Sequence, residues 1–219
     1  MIRLFSGTPG SGKSLHTAPI IYDRLVWACK PVIANFPVNR NMVFYSKRQL
    51  KKMGKRPDYR PKKRQSGIYY YVSDDNLTPD FLINYAHKFH EPRKEHQTLL
   101  VIDECSSDML FSNRSWQNKD RQKWIRFFQQ HRKLGFDIIL VSQSDKLIDK
   151  QIRCFIEYEV KHRKASNFGT VGKILGLFSG GSLFVAVTMW YTIREKTGSE
   201  FFRFHNFYDK FYDSYFEFK

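Results

Sequence analysis

Eight residues near the start of the chain have the types and spacing to hold a phosphate. Gly7-Thr8-Pro9-Gly10-Ser11-Gly12-Lys13-Ser14 fits the pattern GxxxxGK[ST]. Its glycines let the backbone curl so that successive N–H groups point inward at an anion. A helix beginning there would add its partial positive charge. Lys13 reaches the β- and γ-phosphates of a nucleotide, and the Ser14 hydroxyl ligates Mg²⁺. This chemistry calls for a nucleotide and Mg²⁺ as cofactors. A second element has matching chemistry. Leu99-Leu100-Val101-Ile102-Asp103-Glu104 is an apolar run ending in two carboxylates. On a parallel strand beside the first, Asp103 would lie next to Ser14 and orient the metal and its waters, while Glu104 would polarise a water for attack on the γ-phosphate. Such a pair can also simply end a strand, and the phosphate loop is what favours the chemical reading. A third run, Phe136–Val141, ends in Ser142-Gln143, where Gln143 could sense the γ-phosphate or orient the attacking water. Arg132, at the end of a basic helical segment, is a candidate arginine finger for a neighbouring subunit's nucleotide, or else a surface arginine. Arg153 is a weaker candidate for the same role. His131 reads as a packing residue, because this hydrolysis needs no histidine base.

These groups need elements to position them. Met1–Ser6 reads as a strand and Ser14–Cys29 as a helix that Pro19 interrupts early and Pro31 closes. Val32–Phe36 reads as a second strand. Residues 40–71 read as irregular, with Ile68–Val72 a strand returning from them. Thr78 as N-cap and Pro79 at the first helical position start a helix reaching about His90. Leu99–Ile102 is apolar throughout, as befits a strand covered on both faces of a parallel sheet. Lys119–Leu134 reads as a helix with Trp124, Phe127, Phe128 and His131 at helical spacing, stopped by Gly135. Phe136–Val141 is another buried strand, Lys146–Phe155 a short helix, and Glu157–His162 a strand. Strands and helices alternate to about residue 145, which points to an α/β fold with a mainly parallel central sheet flanked by helices.

The uncharged run Ile174–Ile193 is long enough to span a membrane. However, Ser179-Gly180-Gly181-Ser182 is a turn signal inside it, and Leu183–Ile193 is rich in β-branched and aromatic residues. With Lys196-Thr197-Gly198-Ser199 as a turn and Glu200–Phe207 as a second alternating stretch, a C-terminal β-hairpin is the better reading. A Tyr/Phe-rich tail, Phe207–Phe218, follows. The expectation is one domain over residues 1–219, with a basic insertion at about 40–72 and the hairpin and aromatic tail at about 183–219.

Composition narrows the class. The 219 residues carry 37 Lys and Arg against 21 Asp and Glu, a net charge of +16. Hydrophobic residues make up 42% and aromatics 16%, so a packed core rather than disorder is expected. Cys29, Cys105 and Cys154 form no CxxC and have no close His partner, which argues against a disulfide scaffold or zinc finger and for a reducing compartment. No cleavable signal peptide is expected. The charge is uneven. Lys47, Arg48, Lys51, Lys52, Lys55, Arg56, Arg60, Lys62, Lys63 and Arg64 face one acid, Asp58. With Pro57 and Pro61 inside it, much of this stretch reads as loop. It suits a nucleic-acid backbone, anionic lipid headgroups, or a merely solvated insertion. The smaller cluster of Lys119, Arg121, Lys123, Arg126, Arg132 and Lys133 reads as a wet helix face.

Taken together, Gly7–Ser14, Ile102-Asp103-Glu104, His131-Arg132-Lys133-Leu134-Gly135-Phe136-Asp137, Leu140-Val141-Ser142-Gln143 and Leu147-Ile148-Asp149-Lys150-Gln151-Ile152-Arg153 resemble the N-terminal domain of the zonula occludens toxin (Zot) family. That family includes the assembly ATPases of filamentous phages and falls in the FtsK–HerA class of P-loop motors. The aromatic end around Tyr212–Tyr215 is also similar. The resemblance covers most of the chain. Its phosphate loop is common to many ATPases, and the later segments are the more specific part. It implies an ATPase on the cytoplasmic face of the bacterial host inner membrane, assembled as a hexameric ring. Such a motor drives extrusion of single-stranded phage DNA as coat proteins replace the packaging protein, alongside an envelope pore. By resemblance, the nucleotide is ATP, Lys13 and Ser14 bind phosphate and Mg²⁺, Asp103 and Glu104 form the Walker B pair, Gln143 is the sensor and Arg132 the finger. Family members commonly carry a transmembrane helix and an extracytoplasmic tail after this domain. Lys47–Arg64 maps onto no family motif. The family's toxin activity belongs to the C-terminal tail and is not implied here.

Three other readings compete. A DNA-translocating or packaging ATPase of the same class would hydrolyse ATP faster with DNA. A P-loop kinase would need an acceptor pocket, and Glu104 with Gln143 suits water attack better. A non-enzymatic basic scaffold, binding DNA or coat protein, would leave the filled catalytic positions idle.

Overall fold

A computed structural model describes residues 1–105, 121–167 and 183–212. Its strands form one eight-stranded sheet of order β3-β2-β4-β5-β1-β6-β7-β8. The strands are β1 (Ile2–Ser6), β2 (Val32–Ala34), β3 (Tyr69–Tyr71), β4 (Thr98–Ile102), β5 (Phe136–Ser142), β6 (Tyr158–Lys164), β7 (Leu183–Trp190) and β8 (Glu195–Arg203). Pairings from β3 through β6 are parallel. β7 and β8 add an antiparallel hairpin at one edge. The helices are α1 (Lys13–Val26), α2 (Arg40–Phe44), α3 (Lys47–Lys55), α4 (Pro79–Phe89), α5 (Arg121–Gln130), α6 (Lys150–Arg153) and α7 (Asn206–Phe211).

The apolar runs make this a three-layer structure. Side chains alternate across a strand, so a strand apolar at every position feeds two cores. Ile2 and Leu4, Leu100 and Ile102, Ile138 and Leu140 point to one face, against Leu82 and Tyr85 of α4 and Trp124, Phe127 and Phe128 of α5. Phe5, Val101, Ile139 and Val141 point to the other, against Ala18, Ile21 and Leu25 of α1 and Phe211 of α7.

Four expectations need correction. β4 does not lie beside β1; β5 runs between them, paired to both. Residues 40–71 are not irregular throughout, since α2 and α3 lie within them. α3 forms because Ser46 and Gln49 make a reciprocal capping box and the Lys, Arg, Gln, Leu and Met that follow favour helix. The long helix α1 continues through Pro19. The hairpin turns at 191–194, not at 196–199; Thr197 is an extra residue at a register shift opposite Thr188 and Met189. Of the run Ile174–Ile193, residues 174–182 lie outside the described residues, as do Lys119 and residues 213–219. Residues 183–190 are strand β7. Among the described residues no helix is long and apolar enough to cross a membrane.

Candidate nucleotide site

All six parallel strands run in one direction, so their C-terminal ends share one edge of the sheet. That edge collects the loop after β1 (Gly7–Gly12), Asn35 after β2, Asp103 and Glu104 after β4, and Gln143 after β5. The loop needs its glycines. Gly7, Gly10 and Gly12 all have positive φ, and a Cβ on Gly7 would lie 2.6 Å from the His162 carbonyl oxygen. A Cβ on Gly12 would meet the Phe184 ring at 2.8 Å. Gly12 is also the N-cap of α1; no side chain caps this helix, and its first turn holds no acid. Its terminal N–H groups and dipole therefore favour an anion. The Gly7 amide donates to the Gln143 carbonyl at 3.3 Å, which ties the loop to the end of β5.

Lys13 Nζ donates to the carbonyls of Gly7 at 2.6 Å and Thr8 at 3.2 Å, so the ammonium is folded over the loop. Burial lowers its pKa, and the nearby Asp103 and Glu104 carboxylates oppose that shift. Burial raises the pKa of Asp103, against the Tyr212 hydroxyl, the Glu104 amide and the Lys13 charge, which favour the carboxylate. The Asp103 backbone is clamped from both sides by the buried Asn35. Asn35 accepts from the Asp103 amide at 2.8 Å and donates to its carbonyl at 2.9 Å. Glu104 is exposed, with φ of 47°, so the chain swings sharply just after Asp103 and the two carboxylates face different ways. The Cys105 amide then donates to the Val141 carbonyl at 3.1 Å, returning the chain to β5.

The residues present fit a magnesium-bound nucleotide. The loop presents glycine-shaped backbone to an anion, and the buried Ser11 hydroxyl has no partner among the described residues. Ser14 and Asp103 are the residues that would offer magnesium the hard oxygen ligands it prefers. Among the described residues no three His, Cys, Asp or Glu side chains form a metal cage.

The structure gathers Gly7–Ser14, Asp103, Glu104 and Gln143 at this edge. Arg132 it places elsewhere, before β5 at the opposite end of the sheet. Arg132 is exposed and its guanidinium pairs with Glu95 at 3.2 Å. It does not reach this chain's own loop; a finger role would act on another subunit. Arg153 lies in α6, its charge acting on Asp145 and Tyr191. His131 packs as expected, its Nδ1 bonded to the Phe128 carbonyl at 2.7 Å.

Three features escape a reading of the sequence. Asn35 gives a weak signal, a polar residue at the end of an apolar strand. The buried His162 and the partly buried His16 pair under the loop, with His16 Nδ1 2.7 Å from His162 Nε2 and His16 Nε2 2.6 Å from Glu200. Burial first, and then His16, pulls the His162 pKa down to about 3. Tyr212 comes from the far end of the described chain; the aromatic end it belongs to stands out in the sequence, but nothing local says that its hydroxyl meets Asp103.

The basic stretch is exposed along α3, which buries no residue. Arg64 is the exception. Its guanidinium turns inward to the Tyr22 hydroxyl at 2.9 Å and the Met42 carbonyl at 2.6 Å, anchoring the stretch to α1 and α2.

Comparison with known proteins bears on the family and the fold. The family described as Zonular occludens toxin (Zot) matches residues 1–182. The Gene 1 protein of Enterobacteria phage M13 is 30% identical over 186 residues, covering 83% of this chain and 48% of that protein. The chain thus spans about half the length of the curated relatives it matches. The N-terminal domain of zonular occludens toxin from Neisseria meningitidis has a similar fold, at 17% identity and TM-score 0.53, covering 97% of this chain and 98% of that one. A second solved structure, an ATPase domain, shares the fold at 9% identity and TM-score 0.58, covering 96% of this chain and 84% of that one.

Proposed function

The chain belongs to the Zot family, and from that membership and the site's geometry we propose that it is an ATP hydrolase driving filamentous phage assembly and the extrusion of single-stranded phage DNA through the host envelope. The observation that carries this reading is the shared edge where Lys13, Ser14, Asp103, Glu104 and Gln143 converge. Bound magnesium would stabilise the charge that develops on the phosphates during transfer. The glycine loop and the N-terminus of α1 bind the phosphates. Lys13 leaves its loop carbonyls for the β- and γ-oxygens. Glu104, exposed beside Asp103, holds a water and takes its proton. Gln143, one strand away, orients the same water.

In this reading the protein works as a ring, a hexamer, on the cytoplasmic side of the host inner membrane, with coat proteins, the single-stranded DNA complex and an envelope pore as partners. Arg132, remote from its own loop, serves a neighbour's nucleotide. The exposed face of α3 favours a second reading, a DNA-translocating ATPase of the FtsK–HerA class that grips the phosphate backbone through Lys47–Arg64.

The test is steady-state ATP hydrolysis at several protein concentrations, with and without single-stranded DNA, beside Glu104→Gln. We expect the rate per subunit to climb with concentration and to fall on the order of 10²- to 10⁴-fold in the variant, which keeps nucleotide binding. Stimulation by DNA would favour translocation. Full turnover in Glu104→Gln would remove Glu104 from the chemistry.

A further inference from the structure

The segment from Asn206 to Tyr212 crosses back over the nucleotide edge of the sheet. It is tied down along its length. The Asn39 amide donates to the Phe211 carbonyl at 3.0 Å, and Tyr212 makes an isolated antiparallel bridge with Val38. Phe207, Tyr208 and Phe211 pack edge-on around Tyr22 of α1. Phe211 is fully buried, and Tyr212 nearly so, with its ring 4.3 Å from that of Phe36. The Tyr212 hydroxyl ends between two elements of the site. It donates to Asp103 Oδ2 and also interacts with the Ser14 side chain. Asp103 Oδ1 meanwhile accepts from the Glu104 amide at 2.9 Å.

Resting on the nucleotide reading above, we propose that the Tyr212 hydroxyl holds the place magnesium takes between Ser14 and Asp103, so that docking of the 206–212 strap and loading of metal-bound nucleotide exclude each other. The two residues that offer oxygen to the ion are the two that Tyr212 engages. Magnesium demands close, near-octahedral oxygen contacts and tolerates little crowding. The phenol cannot simply rotate aside, because its ring is packed on Phe36 and its backbone is bridged to Val38. Releasing the hydroxyl therefore means lifting the end of the strap. That lift would uncover Phe36 and the α1 face around Tyr22, so metal loading at the site is transmitted to the packing of the 206–212 strap on α1. Nucleotide without metal needs only the loop and leaves the strap in place. The alternative is that Tyr212 stays and merely positions Asp103. It predicts the opposite sign for loss of the hydroxyl.

The experiment measures affinity of the full chain for a fluorescent, non-hydrolysable ATP analogue, in magnesium and in EDTA, for wild type, Tyr212→Phe, Tyr212→Ala and Lys13→Ala. Hydrogen exchange of residues 206–212 is followed under both conditions. Tyr212→Phe should bind about tenfold tighter in magnesium, the size expected for one hydrogen bond to a charged group. Its affinity in EDTA should stay at the wild-type value. Tyr212→Ala, which also loses the ring, should gain at least as much. In wild type, exchange in 206–212 should rise with the magnesium complex and not with the EDTA form. Unchanged or weaker magnesium-dependent binding in Tyr212→Phe, or no rise in exchange, overturns the proposal while wild type still outbinds Lys13→Ala. If wild type binds no better than Lys13→Ala, the nucleotide reading itself fails, and the strap proposal falls with it.

Discussion

The two ends of the parallel strands are built from the same sheet and differ in how they treat charge. At the N-terminal end charges are matched. The Met1 amine lies 3.6 Å from Asp137 and 3.7 Å from Glu157, His96 is 2.7 Å from Asp137, Arg24 is 3.4 Å from Asp137, and Arg132 is 3.2 Å from Glu95. At the C-terminal end, among the described residues, Lys13 makes its hydrogen bonds to neutral carbonyls of its own loop with Asp103 and Glu104 nearby, Glu104 is exposed in a left-handed conformation, and Ser11 has a buried hydroxyl without a partner. Charges matched within the chain leave little demand for an outside partner. A cation kept on neutral groups, beside backbone shaped for an anion, is arranged for something that arrives. The rule that open parallel sheets bind ligands beyond the carboxyl ends of their strands has its physical content here.

The sharpest way to break the comparison is Lys13→Ala. If the C-terminal end is a phosphate site, nucleotide affinity should drop on the order of 10²- to 10³-fold, because the phosphates lose their one mobile cation. The melting temperature should hardly move, since Lys13 makes no ion pair within the described residues. A variant that binds nucleotide normally would show that the end is only a strained loop. Isothermal titration beside thermal unfolding separates the two results.

A smaller effect tests the floor of the loop. His162 Nδ1–H donates to the Ser6 carbonyl at 3.3 Å, and burial holds the imidazole pKa down at about 3. The unfolded imidazole takes its proton near pH 6.5. Between these values the unfolded chain binds more protons than the folded one, so stability falls as the pH falls through that window. The slope from this one group approaches ~1.4 kcal/mol per pH unit. His16, His90 and His131 are shifted the same way, each chiefly by burial. Urea unfolding between pH 6.5 and 4.5 should show the loss, and His162→Gln should flatten the slope. An unchanged slope would move the acid sensitivity to the other histidines, including His131 at the opposite end.

Much of this architecture is legible in the sequence because it is local. The loop Gly7–Ser14 is a contiguous pattern whose glycine conformations follow from its residue types. Thr78 and Pro79 start α4 as their chemistry dictates, with the Thr78 hydroxyl accepting from the Phe81 amide at 3.2 Å. What is not legible is decided at a distance. No local residue says that β5 rather than β1 lies beside β4, because strand order is settled by pairings across more than thirty residues of intervening chain in each case. The hairpin turn is easily misplaced because Gly198 looks like the residue that would take a left-handed turn. Arg194 takes it instead, at φ 58°, held there by Glu159 at 2.8 Å, Asp145 at 3.0 Å and the Tyr191 ring at 4.4 Å. Tertiary contacts outweigh the small cost of that backbone for one residue. Tyr212 is the extreme case: its role near Asp103 is fixed by a partner 109 positions away.

The smallest expected effect on the chain itself is that of Arg132→Ala, and it sharpens the comparison most finely. Arg132 sits at the matched end, exposed, and among the described residues it pairs with the exposed Glu95 in a contact that water and salt screen. Losing it should leave the melting temperature and the nucleotide affinity at wild-type values. Any change in turnover must then come from between chains, because the guanidinium and its own loop lie at opposite ends of the same strands. We expect turnover to fall only at protein concentrations where wild type shows its rise per subunit, and mixing Arg132→Ala with Lys13→Ala should restore part of it. Lys13→Ala supplies the arginine, and Arg132→Ala supplies the intact loop. If the mixture stays inactive while both variants still associate, the matched end is structural in the assembly as well as in the single chain.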